Sequence, residues 1–240
     1  MIELGVILAA GAGTRLHDRG QVPHKALIPV GGEPLIVRNC RLLREAGIRR
    51  VVVVTGYGGP AVRDELTRHC GGTLDLAFVD NPQWQQPNGL SVLAAAPLLD
   101  GDYLLLMADH LFEAGFFTGL AAAPLAADEV VLAIDRKLDR IFDMDDATVV
   151  KTAGDRIVAI GKELDDFDAV DTGLFACSGA LIPALESQAA QGRASLSAGG
   201  QYLADRGRMR GHDIGGLWWQ DVDTPGALLH AHELLRAGVS

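Results

Sequence analysis

Three stretches constrain the fold of this chain more than any others: Leu4 to Ala10, Val51-Val52-Val53-Val54-Thr55 and Tyr103 to Met107. Each is short, apolar at almost every position and followed by turn residues. A strand with one face in water alternates apolar and polar residues, whereas a strand covered on both faces does not. The three runs are therefore read as strands in the middle of a parallel sheet. Helical patterns lie between them, from Pro34 to Ala46 with proline at the start and from Ala61 to Cys70. A strand from Leu74 to Val79 and a helix from Ser91 to Leu98 continue the alternation.

The pattern changes after about residue 115. Short strands are expected at Glu129 to Ile134, Thr148 to Lys151, Ile157 to Ile160 and Ala169 to Phe175, with Ala153-Gly154-Asp155 suited to a hairpin. Helices are expected at Pro183 to Gln191 and Ala227 to Arg236. No stretch is rich enough in Gly, Pro or Ser to separate two domains. The expectation is one α/β domain over residues 1–240, with a Rossmann-like, mixed but mostly parallel sheet flanked by helices and a small β-rich insertion in the second half.

With 48% hydrophobic residues the chain can bury a core without staples. Its formal net charge of -10 excludes a general nucleic-acid surface, which needs clustered Lys and Arg. Phosphate chemistry in such a chain must rest on a few placed cations, backbone amides or a metal. No run of about 18 apolar residues occurs, and Met1-Ile2-Glu3 leads straight into a strand, so neither a membrane span nor a signal peptide is expected. Cys40, Cys70 and Cys177 are scattered, without metal-site spacing, which suits a reduced, cytoplasmic protein.

Gly11 and Gly13 fall at the carboxyl end of the first strand, where open α/β sheets bind ligands. Glycine there lets backbone N–H groups approach an anion. On spacing alone the turn is either an anion cradle or a structural tight turn, since neither the third glycine of a dinucleotide fingerprint nor a GK[ST] follows. Asp109 ends the buried strand Leu104-Leu105-Leu106-Met107 with a charge that must be paired or bind something. A lone strand-end carboxylate suits Mg²⁺ together with substrate phosphates. Asp221 and Asp223 lie on one side of an extended segment before Thr224-Pro225, where either Asp223 or Thr224 could cap a helix. Asn88-Gly89 is an ordinary turn and Ser91 an ordinary N-cap when read without context.

The longer phrase Leu8-Ala9-Ala10-Gly11-Ala12-Gly13-Thr14-Arg15-Leu16, with Pro23-His24-Lys25-Ala26-Leu27 and Gly31-Gly32-Glu33-Pro34-Leu35-Ile36, resembles the amino-terminal motif of nucleotidyltransferases that make NDP-sugars and CDP-alcohols. That resemblance implies a GT-A-like nucleotidyltransferase fold. Leu8, Ala9, Ala10, Gly11, Gly13 and Thr14 would wrap an NTP, and Arg15 and Lys25 would contact its phosphates. It also implies metal binding by Asp109 and Asp223, with Asp221 as the rival, and nucleobase contact by Gln86, Asn88, Gly89 and Ser91. Lys162, in Ile160-Gly161-Lys162-Glu163, would hold the attacking phosphate. Residues up to about 115 would form the nucleotide half, and those from about 116 the acceptor half with the second metal ligand.

Met107-Ala108-Asp109-His110-Leu111-Phe112-Glu113, Asp145-Asp146-Ala147-Thr148-Val149-Val150 and Asp168-Ala169-Val170-Asp171-Thr172-Gly173-Leu174-Phe175 are similar to the CTP:inositol-1-phosphate cytidylyltransferases. This branch implies Mg²⁺-dependent formation of CDP-inositol and pyrophosphate from CTP and inositol 1-phosphate. Asp135, Arg136, Lys162, Asp171 and Thr172 are then candidates for the acceptor site. Members of the branch often carry a membrane domain that consumes the product, so a separate membrane-bound transferase is an expected partner. A homodimer is a further expectation. The acidic run Asp143, Asp145 and Asp146 is read as a solvated turn. Phosphocholine or a sugar 1-phosphate is the rival acceptor, and a nucleotide-binding regulatory module is the rival class.

Overall fold

The computed structural model describes residues 2–13 and 24–236. The chain opens on β1 (Leu4–Ala9) and passes through β2 (Pro29–Val30) and β3 (Glu33–Pro34) into α1 (Leu35–Glu45). It continues as β4 (Arg50–Thr55), α2 (Gly59–Cys70), β5 (Asp75–Asp80), α3 (Gly89–Ala95), β6 (Tyr103–Met107), β7 (His110–Phe112) and α4 (Gly115–Ala121). The second half comprises β8 (Val130–Asp135), β9 (Val149–Ala153), β10 (Arg156–Gly161), β11 (Ala169–Cys177), α5 (Leu181–Ala189), α6 (Leu196–Ala204), β12 (Met209–Asp213), β13 (Trp219–Asp221) and α7 (Pro225–Arg236).

The apolar runs sit where their composition demands. Val51, Val52, Val53 and Val54 are fully buried, as are Leu104, Leu105 and Leu106, because helices cover both faces of the sheet. One nine-stranded sheet carries the whole fold, in the order β5-β4-β1-β6-β11-β8-β12-β10-β9. The first four strands are parallel. Beyond β6 the sheet is mixed: β11 runs antiparallel to both β6 and β8, β12 is parallel to β8, and β9 and β10 form a hairpin around Gly154-Asp155. The β-rich half thus extends the same sheet, and its parallel character is confined to the first four strands and the β8–β12 pair.

Strand order decides where a ligand can sit. From β1 the chain moves outward to β4 and β5, then returns to place β6 on the other side of β1. The loops leaving the carboxyl ends of β1 and β6 therefore diverge and leave a crevice between them, the general ligand position in open α/β sheets. Leu8 pairs with Met107 at this end, and the Ala108 N–H donates to the Leu8 carbonyl at 3.1 Å. The Gly11–Gly13 loop and Asp109 leave the sheet from this point.

A separate apolar cluster fixes the edge of the crevice. Ile28, Val30, Leu35, Leu111, Val222 and Ala231 are buried together, joining the segment after Lys25 to β7, to the segment after β13 and to α7. β7 and β13 pair antiparallel, with Asp221 opposite His110, and the Val222 N–H donates to the Asp109 carbonyl at 2.9 Å. Three chain segments far apart in sequence are thus tied at one place.

Candidate active site

Lys25 reaches the crevice from a single 3-10 turn, Lys25–Leu27. His24 caps that turn: its Nδ1 accepts the Ala26 N–H at 3.0 Å, so the neutral ring carries its proton on Nε2. Gly13 has φ +61°, and a Cβ there would lie 2.6 Å from Lys25 Cβ and 2.7 Å from Lys25 Cδ. Only glycine combines that left-handed backbone with room for the lysine stem. Gly13 is therefore matched to Lys25 in this structure. Thr14 and Arg15 lie outside the described residues.

The Lys25 ammonium meets two carboxylates. Its Nζ is 2.7 Å from Asp109 Oδ2, and it also pairs with Asp223 Oδ1. The lysine side chain is only 10% exposed, so both contacts are shielded from bulk solvent. Asp109 also receives His110 Nδ1 at 2.8 Å. Burial would raise the Asp109 carboxyl, but the Lys25 charge and the His110 contact outweigh it and hold the group well below the usual carboxylate range. Thr224, not Asp223, caps α7, because its hydroxyl accepts the Ala227 N–H at 3.1 Å. That division leaves the Asp223 carboxylate for Lys25. Asp221 lines the same cleft, while one of its oxygens accepts the Gln220 amide at 3.0 Å.

His110 is held as firmly as the group it serves. Its ring stacks on Trp219, 5.6 Å between centroids and 13° from parallel, and on Phe112 at 5.9 Å. Gly173 supplies the remaining wall. It lies in an irregularity of β11, between Asp171 opposite Ile134 and Phe175 opposite Leu132, and has φ +76°. A Cβ at Gly173 would fall 2.8 Å from the His110 ring. The extra residues of this bulge bring the strand against the imidazole, a common use of bulges beside functional sites.

Across a cleft of about 280 Å³ stand Asn88, Thr148, Lys162, Asp171 and Ser197. Lys162 pairs with Asp146, so one member of the acidic run enters the cleft as a partner for the second lysine. Asp171 accepts the Gly173 N–H at 2.7 Å, and burial pushes its carboxyl up to about 6 against the opposing pull of that N–H and of His110. The Asn88 amide oxygen accepts the Leu196 N–H at 2.9 Å and so fixes the start of α6 at the cleft edge.

The other described candidates are not among the walls of this cleft. Gly89 is packed against the segment before α6, the position of its missing Cβ lying 2.4 Å from the Ala194 carbonyl oxygen. Ser91 is buried within α3, where its hydroxyl accepts the Asn81 amide at 3.0 Å. Gln86 is exposed in the turn before α3, its N–H donating to the Gln83 carbonyl. Leu8, Ala9 and Ala10 are buried at the end of β1, and Gly11 is exposed beyond them. Thr172 faces the core and donates to the Ala133 carbonyl at 2.8 Å. Arg136 engages Thr152, Asp168 and Asp213 on the sheet surface. Asp135 is buried outside this cleft, bonded to Lys137 and to Trp219 Nε1. In the other direction, sequence reasoning gave no role to His110, Asp146 or Trp219. His110 follows Asp109 directly, and Trp219 lies two residues before Asp221, but their meeting depends on the β7–β13 pairing.

Comparison with known proteins gives concordant matches. The model of the MobA-like NTP transferase domain matches residues 5–201. A bifunctional IPC transferase and DIPP synthase of Thermococcus kodakarensis is 32% identical over 237 residues, covering 97% of this chain and 50% of that protein. Its counterpart in Rubrobacter xylanophilus is 35% identical over 235 residues, covering 95% and 51%. The chain thus spans about half the length of these relatives. Among solved structures, the inositol-1-phosphate CTP transferase from T. maritima superposes with a TM-score of 0.85 at 25% identity, covering 100% of this chain and 98% of that one.

Proposed function

Since the chain belongs to the MobA-like NTP transferase family, we propose that it is a cytidylyltransferase joining CTP to inositol 1-phosphate, with CDP-inositol and pyrophosphate as products. The observation that carries this reading is the convergence of Lys25, Asp109 and Asp223 at the switch point of the sheet, with Lys162 across the same cleft. The named relatives and the solved transferase supply the choice of CTP and inositol 1-phosphate.

The reaction brings anions together, so its demands are electrostatic. A phosphate oxygen of the acceptor attacks the α-phosphorus of CTP in line. The new P–O bond forms as the bond from the α-phosphorus to the β-phosphate oxygen breaks, and the electron pair leaves with pyrophosphate. Lys25 neutralises the charge gathering on that leaving group, a role the motif resemblance gives to Arg15 as well. Lys162 fixes the attacking phosphate, exchanging its bond to Asp146 for one to substrate. No general base is required, because a phosphate monoester is already an oxyanion near neutral pH. Hydroxyls of the acceptor can donate to Asp171 and Asp221, which line the cleft.

The residues also fit Mg²⁺. Asp109 and Asp223 direct two hard oxygen donors at one cationic point, where the single Lys25 ammonium now sits. Bound there, the ion would supply charge neutralisation for the triphosphate. Among the described residues no helix is long and apolar enough to cross a membrane. A cytoplasmic location accords with this and with the free, buried state of Cys40, Cys70 and Cys177.

The test is pyrophosphate release with Mg²⁺, measured for four NTPs against inositol 1-phosphate, phosphocholine and several hexose 1-phosphates. Release confined to CTP with inositol 1-phosphate is expected. Release with another pair would replace the acceptor or the base, and nucleotide binding without release in any pair would place the chain with regulatory modules.

A further inference from the structure

A second cavity, of about 350 Å³, adjoins the catalytic cleft and shares Trp219 and Asp221 with it. It opens between α7, β13 and the 138–142 segment, and of its walls the proposed transfer reaction uses only Asp221. Four of its lining side chains are aromatic: Phe142, Trp218, Trp219 and His230. Phe142 is 46% exposed and stacks on His230 at 4.7 Å and 17° from parallel.

The polar groups here differ in how far they are satisfied. Lys137 is taken up by Asp135 at 2.7 Å and by the Gly215 carbonyl at 2.8 Å. His230 Nδ1 is 2.8 Å from Gln220 Oε1, and the amide of Gln220 in turn donates to Asp221. One cation is left. Arg140 is exposed at the cavity rim and makes no ion pair and no side-chain hydrogen bond among the described residues. The guanidinium fork matches the oxygens of a phosphate.

We propose that this cavity is an accessory binding site for a flat ring bearing a phosphate, with the ring against the aromatic walls and the anion on Arg140. The ligand class is that of a nucleoside monophosphate. The volume is of the size that holds a small ligand. The site also has a route to the chemistry, because Trp219 forms part of its wall and stacks on His110, which in turn bonds Asp109.

The test is a titration of tryptophan fluorescence in the intact protein with AMP, since Trp218 and Trp219 both line the cavity. Adenosine and inorganic phosphate serve as the two halves of the probe. A saturable change with AMP is expected, with each half about tenfold weaker or more. Arg140→Ala should weaken AMP by a similar factor while leaving pyrophosphate release without AMP unchanged. Lys25→Ala and Lys162→Ala should bind AMP as the parent does. Equal titration in Arg140→Ala, loss of binding in either lysine variant, or no saturable change would each overturn the assignment.

Discussion

The two halves of the sheet solve different problems. In β5-β4-β1-β6 every strand is parallel and the central strands are apolar throughout, so the half is a rigid floor that contributes little but strand ends to the site. In β11-β8-β12-β10-β9 the directions are mixed, β11 is bulged, and the cleft residues Asp171 and Lys162 come from within or just after strands. The first half positions a charge cluster at a topological switch. The second shapes a wall that reaches back onto that cluster through Gly173 and His110. If this division is right, substitutions in the first half should act on the chemical step, and those in the second on acceptor binding or on the alignment of the first.

The largest effect should come from Lys25→Ala. Loss of one preorganised cation at a developing anion costs about 10²–10³ in turnover, so pyrophosphate release at saturating substrates should fall by that order. Asp109 and Asp223 would then face each other without their shared partner. The variant should therefore melt lower in EDTA than in Mg²⁺, with a wider gap than the parent shows. Turnover equal to the parent's would remove Lys25 from the mechanism.

Lys162→Ala should sharpen the contrast between the halves. A lost charge-assisted contact to a phosphate is worth about 1.5–3 kcal/mol, so KM for inositol 1-phosphate should rise about tenfold to a hundredfold with KM for CTP nearly unchanged. Equal rises in both constants would mean that the second lysine serves the nucleotide, and the proposed boundary between the halves would fail.

How much of this was legible before folding follows the same divide. The buried runs Val51–Val54 and Tyr103–Met107 could be read because period and composition are local properties, and Tyr103–Met107 matches β6 end to end. The helix Leu196–Ala204 was not foreseen. Gly199 and Gly200 depress its intrinsic propensity, yet both are packed in place, against Leu185 and Met209. β12, Met-Arg-Gly-His-Asp, carries no alternating pattern and is a strand because β8 and β10 lie on either side of it. The candidate site divided similarly. Lys25, Asp109 and Asp223 are carried by contiguous motifs. The surroundings of Thr172, Arg136 and Ser91 depend on which way a bulged strand or a helix turns, and a hydroxyl or guanidinium in sequence gives no sign that the fold itself will use it. His110 and Trp219 meet only through the pairing of two three-residue strands distant in sequence.

Gly173→Ala probes the contact between the halves. A non-glycine residue at φ +76° costs about 1–2 kcal/mol, and the new methyl must also displace the His110 ring. The melting temperature should drop by several degrees. Turnover should fall as well, because His110 is bonded to Asp109. A variant that loses stability but keeps full turnover would show that the bulge supports the fold without aligning the carboxylate.

The smallest effect is expected from Asp171→Asn, and it is a dependence on pH. Burial raises the Asp171 carboxyl to about 6, above the range of an unfolded chain. A folded value above the unfolded one means that the native state binds the proton more tightly. The stabilisation from this group is therefore complete below about pH 4 and is lost as pH rises through 6, where the fold must accommodate a buried anion. Asparagine never ionises, and its amide oxygen can still accept the Gly173 N–H. Melting curves in EDTA without nucleotide should show Asp171→Asn gaining on the parent between pH 4.5 and pH 7.5, while KM for the acceptor rises at the upper end. Parallel stability profiles across that range would mean that Asp171 is solvated rather than enclosed, and the second half of the sheet would then present an open surface to the acceptor instead of a shaped wall.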